Sequence, residues 1–154
     1  MPRIDPQPDV RGPMIARMLG RRAPVLEGFL ALDAAFRERG LLSAELKEAV
    51  RRSTAEGVGC RYCASLGEPQ ADHPDRREAL AVGFAQLLAQ DAGDISDGSF
   101  ELLREEFSDE EIVELIAWTC IVVIGGQKFG AALGLEPASP EEADRYQRWV
   151  AGAG

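Results

Sequence analysis

The stretch Ser108-Asp109-Glu110-Glu111-Ile112-Val113-Glu114-Leu115 decides the fold class of this chain. Its serine and the glutamate three residues on form a capping box, in which each side chain accepts a hydrogen bond from the other's free backbone N–H group. The box predicts the start of the longest helix, which runs to about Leu133 before Gly134 ends it. Within that helix, Leu115–Gly126 is uncharged for only twelve residues. A membrane-spanning helix needs about 20, so we predict a buried core helix.

Helical periodicity recurs along the rest of the chain, and strand patterns are almost absent. Caps and breakers predict further helices at about 10–21, 24–39, 43–57, 60–66, 75–90, 100–107 and 140–150. The sequence therefore predicts an all-α fold, a helical bundle in a single domain. Residues 1–13, rich in proline and charge, are predicted to be a flexible N-terminal segment, and residues 14–150 the helical domain.

Composition excludes several kinds of partner. The chain has 17 basic and 26 acidic residues, for a net charge of −9, so we expect neither nucleic acid nor a membrane as a partner. The beginning of the sequence has no apolar stretch typical of a signal peptide. We therefore expect a cytoplasmic protein whose thiols are kept reduced until something oxidises them.

The motif Cys60-Arg61-Tyr62-Cys63 carries the most chemical information. Residues three apart lie on one face of a helix, so the two sulfurs can meet in a reversible disulfide. Gly57 and Gly59 interrupt the preceding helix, which places Cys60 at the start of the next one. Free N–H groups there and the charge of Arg61 would favour a thiolate. In a chain without an export signal, this motif is typical of redox or metal chemistry.

The two cysteines allow three interpretations: a metal site, unreactive packing and redox chemistry. A structural zinc usually has four protein ligands, and only Cys120 and His73 remain to complete the set, so we expect no metal and no cofactor. Packing of two unreactive cysteines stays an alternative, since buried free cysteine is common. Redox chemistry is favoured over both. Cys120, in an apolar run, is expected to be a core residue.

Two other features carry predictions of their own. Glu48 points away from the apolar side of its helix, so periodicity predicts a surface ion pair with Arg51 and Arg52. Gly125-Gly126 lies inside the long helix, where each glycine costs about 1 kcal/mol relative to alanine. We expect a kink or a close helix contact there and favour close packing over a ligand pocket beside the glycines.

Three stretches resemble the carboxymuconolactone decarboxylase / alkylhydroperoxidase D superfamily: Leu42–Glu48, Gly59–Cys63 and Phe107–Leu115. The resemblance extends from about Pro24 to Leu135 and implies that family's helical bundle and its homo-oligomers. Alkylhydroperoxidase D-like members have a glutamate, eleven residues, C-x-x-C, three residues and a histidine. In this sequence Glu48, Cys60 and Cys63 match that pattern, whereas the histidine position falls on Gly67.

The resemblance implies a CxxC thiol oxidoreductase that reduces a hydroperoxide or exchanges with a small disulfide, and that a cytosolic thiol reductant restores. Cys63 would be the peroxidatic thiol, Cys60 the resolving thiol, and Glu48 part of a proton relay. With Gly67 the relay lacks its histidine. His73 could swing back, but a loop histidine is more often a surface or helix-cap residue. The alternative is a divergent non-catalytic member that acts as a redox sensor or binds a small ligand or a partner.

Overall fold

A computed structural model describes residues Met1–Gly152, and within that range the chain is helical and contains no strand. The predicted all-α, single-domain fold is confirmed. The helices are α1 (Met14–Leu19), α2 (Ala23–Arg39), α3 (Ala44–Val58), α4 (Arg61–Ser65), α5 (Arg76–Gln90), α6 (Asp97–Arg104), α7 (Asp109–Ala117), α8 (Gly125–Leu133) and α9 (Pro140–Gly152). A 3₁₀ turn at Ala92–Asp94 precedes α6, and a π-helical segment at Trp118–Ile124 joins α7 to α8.

The helix boundaries follow from local caps. The capping box is present: the N–H of Ser108 donates to Glu111 Oε2 at 2.9 Å, and the N–H of Glu111 donates to Ser108 Oγ at 3.2 Å. Ser43 caps α3 with its side chain alone, which accepts a hydrogen bond from the N–H of Leu46. Gly134 ends α8 in the left-handed conformation, as predicted.

Two groups of buried apolar residues meet on α3. The larger core lies between α3, α5, α7 and the π-helical segment and includes Val50, Leu115 and Trp118. The smaller one surrounds α4 and includes Ala55 as well as the CxxC motif. Because α3 contributes to both, its polar side chains are enclosed on several sides.

The continuous helix Asp109–Leu133 is long and apolar enough to cross a membrane by length and composition alone, with a mean hydropathy of 1.6 in its most apolar window. Inside the protein 44% of that window is buried, and core helices of soluble proteins pass the same test. One face packs in the core, while Val113 and Ile121 on the other are exposed. Cys120 is also exposed, so its assignment to the core was wrong. It lies two positions from buried Trp118, and residues two apart in a helix point to different faces.

Helix α2 packs loosely. None of its residues is buried, and Val25 and Leu30 are exposed, although Phe29, Leu32 and Phe36 lean against the larger core. This arrangement leaves open space between α2 and the rest of the protein. Ahead of α1, the N–H of Arg3 donates to the carbonyl of Leu133 at 2.8 Å. The division into a flexible segment at 1–13 and a domain at 14–150 stays a prediction.

Candidate redox site at an apolar cavity

Cys60 and Cys63 form a disulfide, with an S–S distance of 2.08 Å and Cα atoms 5.2 Å apart. Helix α3 ends at Gly59 with a positive φ of 82°, and the chain turns so that Cys60 becomes the N-cap of α4. The N–H of Cys63 lies 3.2 Å from Cys60 Sγ. Both cysteines are buried. The structure thus brings the two predicted thiols together as a bonded pair.

Gly130 of α8 makes room for the sulfur of Cys60. A Cβ atom at this glycine would lie 2.8 Å from Cys60 Sγ and 3.3 Å from Ile15 Cδ1. The backbone of α8 therefore closes one side of the disulfide. Sequence reasoning missed Gly130, although the spacing of Gly126 and Gly130, four residues apart on one helix face, was a usable signal.

Glu48 is buried at the centre of a polar cluster. Its carboxylate accepts hydrogen bonds from Arg51 Nε at 2.9 Å and Nη2 at 2.7 Å, from Arg52 Nε at 3.0 Å and from Tyr146 Oη at 3.1 Å. The predicted pairing with Arg51 and Arg52 is confirmed. The predicted surface location is wrong, because α9 covers this face of α3 and brings Tyr146 against the carboxylate.

The cluster joins one carboxylate, Glu48, to the two guanidinium groups of Arg51 and Arg52. Burial raises the pKa of Glu48, but the hydrogen bonds and charges of Arg51 and Arg52 outweigh it, and the net pKa lies below its usual value. Burial lowers the pKa of Arg51, and the hydrogen bond and charge of Glu48 outweigh it in turn. Burial also raises the pKa of Tyr146 to about 12. Glu48 is consequently a stable carboxylate and a weak base.

Arg51 connects this cluster to the thiol pair. Its Nη1 donates a hydrogen bond of 2.7 Å to the carbonyl oxygen of Cys63. Arg61, expected to favour a thiolate, instead pairs with Glu136 on the surface at 3.2 Å. The buried cation beside the motif is therefore Arg51, which sequence reasoning had placed only as a surface partner of Glu48.

Side chains fill the space where the family pattern has a histidine. A Cβ atom at Gly67 would lie 2.8 Å from Gln147 Nε2 and 2.9 Å from Arg52 Nε. Gln147 also donates to the carbonyl oxygen of Leu66. His73 lies elsewhere, with Nδ1 2.9 Å from Glu78 Oε1 at the start of α5. The site thus has an amide and a guanidinium where a histidine was expected.

A cavity of about 550 Å³ opens above Cys63. Its walls come from α1, α2, α3, α4, α8, α9 and the π-helical segment. They are largely apolar: Ile15, Ala16, Phe29, Leu30, Leu66, Trp118, Val122, Val123, Tyr146 and Trp149. Among the two cysteines of the motif, Cys63 lines the cavity and Cys60 does not. π-Helical segments are rare and occur frequently at functional sites, and this one contributes three of the wall residues.

Gly126 also lines the cavity, and a Cβ atom there would meet nothing within 4 Å. The favoured expectation of close packing at the glycine pair is therefore wrong for Gly126, and a pocket lies beside it. Tyr62 connects α1 to α9 at the cavity wall. Its Oη accepts a hydrogen bond from the N–H of Met14 at 2.9 Å and donates one to Glu142 at 2.8 Å. Burial raises the pKa of Tyr62, so this hydroxyl is a neutral donor.

Neither a protein-family model nor a curated protein matches this chain. Within residues 1–152, no group of three or more His, Cys, Asp and Glu side chains is arranged to hold a metal ion. The chemistry of the site therefore has to be argued from the disulfide, the Glu48–Arg51 pair and the cavity.

Proposed function

We propose that Cys60 and Cys63 are the redox-active pair of an alkylhydroperoxidase D-like thiol oxidoreductase, which reduces a hydroperoxide or exchanges with a small disulfide. One observation carries this proposal. Cys63 lines the cavity, whereas Cys60 lies behind it against Gly130. A substrate in the cavity would reach one sulfur only, which supports Cys63 as the attacking thiol and Cys60 as the resolving thiol.

The proposed reaction has three steps. The Cys63 thiolate attacks one oxygen of the hydroperoxide, the O–O bond breaks, and protonation releases an alcohol and leaves a sulfenic acid on Cys63. The thiol of Cys60 attacks that sulfur, and the disulfide forms as water leaves. A cytosolic thiol reductant then returns two electrons by thiol–disulfide exchange. With a small disulfide as substrate, Cys63 would attack a substrate sulfur directly.

Arg51 supports the thiolate in this scheme. A guanidinium bonded to the carbonyl of Cys63 places a positive charge beside the thiol, and a nearby cation lowers the pKa of a cysteine. Glu48 fixes that guanidinium with two hydrogen bonds. We therefore assign Glu48 a positioning role through Arg51, in place of the base that the family pattern implies.

Assembly and location form part of the same proposal. Exposed apolar side chains on the outer face of the long helix, Val113 and Ile121, and on α2, Val25 and Leu30, support packing against a second copy of the chain. We place the protein in the cytoplasm, where cellular thiols would return the pair to its reduced state.

Thiol counting tests the proposal. The fully reduced protein is mixed with a small excess of cumene hydroperoxide, and free thiols are titrated with a chromogenic disulfide. The reduced protein has three free thiols, one for each cysteine, and we expect peroxide to remove two of them. Cys63→Ser should prevent rapid loss, and Cys60→Ser should leave a sulfenic acid that dimedone traps. Cys120→Ser, the matched control, should still lose two thiols. A wild type that keeps all its thiols would show the proposal to be wrong.

A second candidate is a redox sensor that is oxidised once and does not turn over. The occupation of the relay position by Gln147 and Arg52 favours it, since neither side chain carries protons as a histidine does. Peroxide consumption with excess dithiothreitol separates the two candidates. An enzyme consumes many equivalents of peroxide per chain. A sensor is oxidised once and then consumes little more peroxide.

A further inference from the structure

The cavity over Cys63 combines apolar walls with a cation at its edge, Arg145, that forms no ion pair with another residue of 1–152. We propose that the cavity binds a small apolar monocarboxylate, with the apolar body along the apolar walls and the carboxylate at Arg145. This inference goes beyond the redox chemistry of the proposed function and holds whether or not the thiol pair turns over.

The size and lining of the cavity support an apolar ligand. Its volume of about 550 Å³ lies within the usual range for small-molecule sites, about 300 to 1,000 Å³. Protein interiors are otherwise close-packed, with few voids larger than a water molecule. An apolar surface of this kind is stabilised when a ligand removes it from water.

The charges in the wall support an anionic head group. Arg37 is paired with Asp33 at 2.9 Å, Arg51 is paired with Glu48, and the carboxylate of Glu142 accepts the hydroxyl of Tyr62. These contacts engage every charged side chain of the wall except one.

The exception is Arg145. It lines the cavity from α9, it is exposed, and no carboxylate of residues 1–152 lies within 4.0 Å of its guanidinium. A guanidinium binds a carboxylate through charge-assisted hydrogen bonds. The net charge of −9 makes the protein as a whole repel anions. Binding of a carboxylate therefore needs a local positive charge, which Arg145 supplies.

The protein carries its own reporter of occupancy. Trp118 and Trp149 are the only tryptophans of the chain, and both line the cavity. Arg37 lies over both rings, 5.1 Å from the centroid of Trp118 and 4.2 Å from that of Trp149. A ligand in the cavity should change the fluorescence of these two side chains without any label.

The test compares three ligands of equal chain length below their micellar concentrations: decanoate, 1-decanol and decyltrimethylammonium. We expect saturable fluorescence changes, with decanoate binding about tenfold more tightly than decanol and the ammonium most weakly. Arg145→Gln should reduce the affinity for decanoate to that for decanol and leave decanol unchanged. Equal affinities for all three ligands would overturn the carboxylate preference.

A cavity-filling variant locates the site. Gly126→Leu places a side chain in the cavity and replaces glycine in a helix with a better helix former, so the fold should persist. It should abolish binding of decanoate and decanol. Gly83→Leu is the matched control, because Gly83 also lies inside a helix with nothing within 4 Å and does not line the cavity.

Unchanged binding in Gly126→Leu, or loss of binding in both glycine variants, would overturn the assignment to this cavity. Thiol counting on the same samples tests the redox proposal separately. A protein that binds decanoate but resists peroxide would contradict only the proposed function, and one that is oxidised but binds no ligand would contradict only this inference.

Discussion

Arg51 and Cys63 are joined by a hydrogen bond of 2.7 Å from the guanidinium Nη1 to the carbonyl oxygen. The bond crosses from α3 to α4 and sets a permanent positive charge beside the disulfide, since arginine does not lose its proton in proteins. Glu48 holds the other side of the same guanidinium. The reactivity of the thiol pair and the stability of the buried ion pair should therefore change together when this cluster is altered.

Arg51→Lys should make Cys63 less reactive. Lysine cannot reproduce the planar fork that reaches both Glu48 and the Cys63 carbonyl, so the pKa of the Cys63 thiol should rise and its alkylation at pH 7 should slow about tenfold. The rate is measured against pH with iodoacetamide, on reduced protein in a Cys120→Ser background. Arg52→Lys is the control, because Arg52 bonds Glu48 and Gln147 but not Cys63. Equal slowing in both variants would contradict the role given to Arg51.

Glu48→Ala should be strongly destabilising. It leaves the buried guanidinium of Arg51 without its counter-ion, and breaking a buried pair from one side costs about 3–5 kcal/mol. Urea unfolding of the reduced protein measures the loss. Glu48→Gln keeps a hydrogen-bond acceptor and should lose less. A loss within 1 kcal/mol for the alanine variant, on the order expected for a surface pair, would argue against an enclosed cluster.

The same carboxylate should make stability depend on acid pH. The pKa of Glu48 in the folded state lies below its ordinary value of 4.5, so the stability that it contributes is present above that value and is lost as pH falls through the folded pKa. The difference in unfolding free energy between wild type and Glu48→Gln should shrink as pH decreases below about 4.5. Glu111 and Glu114, whose pKa values are also lowered, are common to both proteins. A difference that stays constant down to pH 3 would refute the prediction.

Placing a histidine at position 67, as in the alkylhydroperoxidase D-like pattern, should need a second change. Gly67→His alone would press its side chain against Gln147 and Arg52 and would place a side chain on a backbone with a φ of +155°, which residues other than glycine rarely adopt. We therefore expect lower stability and no gain in the rate of thiol oxidation. Gly67→His combined with Gln147→Ala removes the nearer contact and should oxidise faster with hydroperoxide. Gln147→Ala alone serves as the control. If the double variant is no faster than that control, the missing relay does not limit this protein.

Gly130→Ala should reveal the contact between α8 and the sulfur of Cys60. The added methyl group would lie 2.8 Å from Cys60 Sγ, and overpacking of this kind typically costs about 1–3 kcal/mol. In a Cys60→Ala background the sulfur is absent and the nearest remaining contact is Ile15 Cδ1 at 3.3 Å, so the same change should cost less. Unfolding free energies of the four proteins in the cycle give the coupling. No coupling would mean that the two sites do not touch.

Local signals explain which parts of the fold were predictable. Ser108, Glu111 and Gly134 act within one turn of their own helix ends, and the boundaries that they predict are correct. Periodicity failed where orientation depended on a distant element. Glu48 appeared to be a surface residue because the helix that covers it begins at Pro140.

The site shows the same division. The CxxC spacing predicted that the two sulfurs can meet, because residues three apart lie on one helix face, and the structure has them bonded. The sequence did not reveal the cavity, since its walls come from seven helical segments spread along the chain. Cys120 was mispredicted in the opposite direction from Glu48. The apolar run around it predicts a core position, but Cys120 lies on the exposed face of the helix.

The contacts from α9 have a consequence for synthesis. Tyr146, which donates to the Glu48 carboxylate, follows it by 98 positions, and Gln147 fills the space beside Gly67 from the same helix. Cys60 and Cys63 therefore emerge from the ribosome well before the residues of α9 that enclose them. The nascent thiols must pass through translation unshielded, and the pair acquires its mature surroundings only when α9 has emerged and docked.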